Sequence, residues 1–193
     1  VIDPLYLFVF AGLFTPGPNV ILITASGARF GLRASLPHVG GIALGVGVTA
    51  GLTALGIGAL LLSAPGLALA LKVAAAAWIL WMAWTLLRSE GRGAEAGDRP
   101  WSVGRAMLFQ WVNPKVWAVA LAASSGFASG LPPAQEALRI GSAFAGINLF
   151  VCLFWTGAGV MLSYLLTTPR AWRIFASVMA ALLAASAVMV FLA

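Results

Sequence analysis

Six apolar runs, each about as long as a bilayer crossing, fill this chain, and nearly all of its charge lies in the gaps between them. They cover residues 5–25, 36–62, 67–87, 103–127, 138–166 and 171–192. Such spacing leaves little besides a bundle of membrane helices. A membrane β-barrel would instead show alternating segments of about 10 residues. Of the 193 residues 62% are hydrophobic and 8% charged, far below the roughly 25% charge that covers a soluble domain. A soluble enzyme, a disordered chain and a disulfide-stapled secreted domain are therefore excluded. The single cysteine, Cys152, can form no intramolecular disulfide. Val1-Ile2-Asp3-Pro4 lacks a basic n-region and reads as the lead into the first run rather than as a signal segment.

The charges orient the bundle. The net charge is +6, yet no basic face interleaved with aromatics exists, so nucleic acid is not the expected partner; the lipid bilayer is. Arg29, Arg33, Arg88, Arg92, Arg99, Arg105, Arg170 and Arg173 fall at the 1–2, 3–4 and 5–6 connections. Lys72 and Arg139 fall at the other ends, and Lys115 lies inside a run. Basic residues collect on the cytoplasmic side, which puts both termini outside. Trp84, Trp101 and Trp172 fall near the cytoplasmic ends and are expected at the interface.

Three runs precede the hydrophilic linker 88–102 and three follow it, so repeat one (1–87) and repeat two (103–193) insert with opposite orientation. A shift of 98 residues lays Thr15-Pro16 on Asn113-Pro114 and Ala25-Ser26 on Ala123-Ser124. The expected fold is a single all-α membrane domain of six helices, built as two inverted three-helix repeats with helices 1 and 4 broken. Transporters of this build bind substrate where the repeats meet.

Thr-Pro and Asn-Pro are helix-start signals, with the polar residue as N-cap and proline at the first helical position. Here each stands in mid-membrane. The resulting half-helix ends carry partial positive charge, and Lys115 adds a full one. Such a convergence suits a carboxylate. Gly17 leaves room for a ligand beside the backbone, and Pro18, Asn19, Gln110, Thr24 and Asn148 are the neighbouring candidates. Prolines that merely kink helices for packing are the alternative, weakened by two breaks at matching depth and by a buried lysine. No acid lies within a run, so a cationic substrate would lack its counter-charge. Lys115 and His38 remain as coupling candidates, His38 being otherwise an interfacial polar residue. No metal, cofactor or catalytic arrangement is expected, and an enzyme is not. Gly41, Gly45, Gly47 and Gly51 allow close helix approach, within the chain against span one or five, or at a homodimer face. Trp78, Trp81 and Trp84 read as a lipid-facing or core stripe rather than a ligand cage.

The chain resembles the LysE/RhtB family of bacterial amino-acid exporters. The carrying residues are Thr15-Pro16-Gly17-Pro18-Asn19 and Asn113-Pro114-Lys115, supported by Gly41-Ile42-Ala43-Leu44-Gly45 and Leu86-Leu87-Arg88-Ser89. The resemblance implies export of amino acids or related metabolites across the inner membrane, driven by proton motive force, with the two proline motifs near the substrate. Where many members, notably exporters of basic amino acids, place an acid after the span-two glycine, this chain has Val46. That tilts the expectation toward neutral amino acids and leaves the proton without an obvious carrier. A passive channel for small polar solutes and a membrane partner subunit are the competing readings.

Overall fold

The structure is a computed structural model, and it describes residues 3–57, 60, 63–89 and 99–192. Glu90, Arg92, Glu95 and Asp98 of the linker lie outside the described residues. Among these, eight helices and no strand occur: α1 Pro4–Phe14, α2 Pro18–Phe30, α3 Leu32–Ala54, α4 Pro65–Leu87, α5 Val103–Gln110, α6 Pro114–Gly126, α7 Pro133–Ser163 and α8 Pro169–Leu192. Four of them, α3, α4, α7 and α8, are long and apolar enough to cross a membrane, and five spans result if the bent pair α1 and α2 counts as one.

The first break differs from the expected Thr15 cap. Thr15 ends α1 in extended conformation, Gly17 is the N-cap of α2, and Pro18 is its first residue. The cause is the double proline. Each proline disfavours helical ψ at the residue before it, Thr15 and Gly17 are both extended, and the helix resumes at Pro18. The two halves meet at 62°. The second break follows the expectation, with Asn113 at the N-cap and Pro114 opening α6.

Other boundaries move as well. The polar turn expected at 29–33 shrinks to Gly31, whose φ of 82° ends α2 and starts α3 at once. A left-handed residue here needs glycine. Helix α7 begins five residues ahead of the expected 138, at Pro133, and so takes in Glu136.

Helices α3 and α7 pack along each other at the centre, α2 lies on α7, α5 and α6 lie on α3, and α4 pairs with α8. Glycine makes the central contacts possible. A Cβ on Gly41 would stand 2.5 Å from the Val103 carbonyl oxygen, and one on Gly47 would stand 2.7 Å from the Ala145 Cβ. Gly45 faces Met107 and Gly51 faces Ala137. All four glycines are thus spent inside the chain, two on α5 and two on α7, rather than on span one or on a second copy. The apolar core around Val9, Ile42, Val46, Ala120 and Phe144 surrounds these crossings.

The aromatic expectations need revision. Trp84 is exposed, but Trp172 is buried and donates from its indole N–H to the Ser89 carbonyl at 2.9 Å. Trp101 and Trp78 pack together with Phe109 inside the second apolar cluster. Trp172 therefore satisfies its indole N–H inside the protein rather than with water, while Trp101 is half-buried.

Candidate functional site

The pair α1 and α2 and the pair α5 and α6 run antiparallel and touch along their length. Phe8 of α1 packs on Phe127 beyond α6, with ring centroids 5.0 Å apart. Gly12 faces Val119, and a Cβ on it would stand 2.8 Å from a valine methyl. Thr15 meets Lys115, and Asn19 of α2 meets Gln110 at the end of α5. The two breaks therefore lie side by side.

Lys115 is the second residue of α6, an unfavourable place for a cation in its own helix. Its stem crosses to the other break instead. The ammonium donates to the Thr15 backbone carbonyl and, over 2.9 Å, to the Thr15 hydroxyl. That carbonyl belongs to the C-terminal end of α1, where positive charge is favoured. Two of the three ammonium donors are thereby used. Lys115 thus bonds the C-terminal end of α1, a partner the sequence did not show, while it stays beside the starts of α6 and α2. The stem passes directly over Gly17, where a Cβ would lie 2.8 Å from the lysine Cδ. Glycine at 17 makes room for the lysine stem.

Beside this contact lies an amide cluster. Asn19 donates to Gln110 Oε1 at 2.8 Å, and Gln110 Nε2 returns a bond to Asn19 Oδ1 at 3.2 Å. Gln110, fully buried, also donates to the Ala106 carbonyl at 2.8 Å. Asn113 Nδ2 reaches Gln110 Oε1 at 3.3 Å. Two of the buried polar atoms without a hydrogen-bond partner among the described residues lie here, Asn113 Oδ1 and Asn148 Nδ2. Both side chains line one cavity of about 10 Å³, together with Gly17, Asn19 and Lys115. That volume holds about one water molecule.

The structure thus gathers Gly17, Asn19, Asn113, Lys115 and Asn148 around one cavity, with Thr15 and Gln110 attached by hydrogen bonds. Pro16 is exposed in the extended link, while Pro18 and Pro114 open the half-helices. Thr24 is turned away and donates to the Val20 carbonyl of its own helix at 2.7 Å. His38 does not join the cluster. It is buried, at 3% exposed, and stacks on Trp101 at 5.2 Å between centroids.

A polar network at the opposite end of spans one and five escaped the sequence reading. Arg139 donates to Asp3 at 2.8 Å, to Glu136 at 2.8 Å and to the Phe127 carbonyl, and Glu136 accepts from the Ser129 hydroxyl at 2.6 Å. The signal available was the Glu136–Arg139 spacing of three, which places the pair on one helix face.

With this geometry in view, the comparison with known proteins is decisive. The family model of the LysE type translocator matches residues 10–193. The chain belongs to the LysE family of translocators. Among curated relatives, a cysteine/O-acetylserine efflux protein of Klebsiella pneumoniae subsp. pneumoniae is 30% identical over 148 residues, which are 75% of this chain and 74% of the relative. The protein of the same description from Escherichia coli O1:K1 is 32% identical over 149 residues, 75% of each chain. No solved structure matches at a significant level. This LysE-family member is a multi-pass membrane translocator.

Proposed function

We propose that this translocator exports small neutral amino acids from the bacterial cytoplasm, with cysteine and O-acetylserine as the first solutes to test because the relatives carry those names. The observation that carries the reading is the pair of unpartnered amide atoms in one cavity beside Lys115. Asn148 Nδ2 is a donor for a carboxylate, and Asn113 Oδ1 is an acceptor for an ammonium. The substrate carboxylate competes with Thr15 for Lys115, and the ammonium released from Thr15 supplies the main charge. Neutral side chains are favoured because Val46 is fully buried and apolar and no acid lines the cavity.

We further read α5 and α6 together as a sixth span, so that two inverted three-helix repeats, 1–87 and 103–193, flank the site. The antiparallel contact of spans one and four supports this reading. At 10 Å³ the cavity cannot hold an amino acid, so transport requires the repeats to part, first toward one side and then toward the other. The arginine-rich ends face the cytoplasm and both termini face outward. Proton motive force drives the cycle, with Lys115 or His38 as carrier. The closed cavity also weighs against an open channel.

The test is efflux from cells that overproduce the protein, and then from proteoliposomes. Accumulation against a gradient that collapses with uncoupler is the expected result. Simple equilibration would replace the exporter with a channel, and no movement of any amino acid would remove both.

A further inference from the structure

A second and larger cavity, of about 300 Å³, lies at the arginine-rich end of the bundle between α2, α3, α4 and the start of α5. It falls within the size range of small-molecule sites, about 300–1,000 Å³. Its wall includes Arg29, His38, Trp81, Arg99, Trp101 and Arg105, and no carboxylate of the described residues. The Arg105 guanidinium sits over two rings, 4.9 Å from the Trp81 centroid and 4.5 Å from that of Trp101. The rings hold the charge in place without neutralising it. Among the described residues Arg105 has no ion pair. His38 adds an independent sign. It is 3% exposed, and neither of its nitrogens has a partner among the described residues. Stacking on Trp101 accounts for the ring's burial but not for its polar atoms, which cost free energy while unpaired.

We propose that this cavity is a receiving site for the α-carboxylate of an amino acid, separate from the small cavity at the breaks. The assignment rests on the exporter reading. Arg105 is the positioned cation, Arg99 stands exposed at the rim, and His38 bonds the polar remainder of the solute. From Arg105 to Gln110 is five residues of helix, roughly 7 Å, and from Ser26 to Asn19 seven, roughly 10 Å. A solute bound here thus waits one to two turns from the Asn19–Gln110 pair.

The experiment is equilibrium binding of O-acetyl-L-serine to the full chain in phosphatidylcholine nanodiscs, with efflux measured separately. Lys115→Ala disables the site at the breaks and is expected to keep binding. Adding Arg105→Gln or Arg99→Gln to it should weaken binding at least about tenfold, as the loss of a charge-assisted bond does. The methyl ester, which lacks the carboxylate, should not bind. Unchanged affinity in both double variants, or equal binding of the ester, overturns the assignment. So does loss of all binding in Lys115→Ala while efflux by the parent stands, and so does the absence of binding by the parent itself. Phosphatidylglycerol in the nanodiscs that abolishes binding would give the cavity to a lipid headgroup and likewise overturn it. If Lys115→Ala is not monodisperse, Arg99→Gln alone, at an exposed residue, carries the tenfold comparison. Binding that depends on Arg105 in a chain that exports nothing would keep this site and refute the exporter instead.

Discussion

Asn19 and Gln110, 91 positions apart, exchange hydrogen bonds of 2.8 and 3.2 Å, so that each amide satisfies the other. The pair joins the first turn of one half-helix to the last turn of another. Because Gln110 is fully buried, loss of either partner leaves an amide without its bond. Asn19→Ala and Gln110→Ala should each destabilise the protein by about 1–3 kcal/mol. In a double-mutant cycle of unfolding in detergent, the coupling should be about 1 kcal/mol or more, and strict additivity would show that the pair is incidental.

Lys115 contributes charge, whereas Thr15 mainly supplies its resting place. Lys115→Ala should lower efflux more than about tenfold at equal membrane abundance, the scale of a lost charge-assisted bond. Thr15→Val should cost only about two- to fivefold, because the Thr15 carbonyl still receives the ammonium. Initial efflux rates of the two variants, normalised to protein in the membrane, check the order. The reverse order would remove Lys115 from the site.

Three glycine-to-alanine changes separate packing from function. At Gly45 a Cβ would stand 2.8 Å from the Met107 Cα, which is backbone and cannot yield; a loss of about 1–3 kcal/mol is expected. At Gly17 the obstacle is the flexible Lys115 stem, so the fold should survive while efflux falls. At Gly40 nothing lies within 4 Å, and alanine should be neutral or stabilise by up to about 1 kcal/mol. Thermal unfolding beside efflux reads all three. A Gly17→Ala variant with normal transport would mean that the lysine does not need its present path.

Arg139 ties α1, the end of α6 and the start of α7 together through Asp3, the Phe127 carbonyl and Glu136. Arg139→Gln keeps the size and removes the charge. It should cost about 1–3 kcal/mol of stability and loosen that end of the bundle. Accessibility to a thiol reagent of a cysteine placed at exposed Ser142 reports the loosening, with the native Cys152 buried and silent. Unchanged labelling and unchanged stability would reduce the network to a surface ornament.

Much was legible in advance where chemistry is local. Pro114 after Asn113 marks a helix start whatever surrounds it, and the structure has one there. The double proline at 16 and 18 was seen as a break, but its geometry was misassigned, since each proline constrains its own predecessor and the second one sets the start. Lys115 stands out in the sequence as a cation inside an apolar run, and in the structure it is half-buried. That it would serve the C-terminus of α1 was not legible, because the partner carbonyl comes from a segment 100 residues away. The same holds for His38, whose burial and stacking on Trp101 bring together residues 63 positions apart.

The sequence by itself determined the class: helices in a membrane, the places where they break, and the scarcity of embedded charge. These follow from hydropathy, from proline's fixed φ and from the cost of burying ions, none of which depends on distant partners. Only the tertiary structure decided which groups stand together. The antiparallel meeting of α1 and α2 with α5 and α6 seats Lys115 on Thr15, pairs Asn19 with Gln110 and leaves Asn113 Oδ1 and Asn148 Nδ2 without partners among the described residues in one cavity. The physical reason is that glycine contacts such as Gly41 on Val103 and Gly47 on Ala145 set how closely the helices approach, and that distance decides which polar atoms can reach one another.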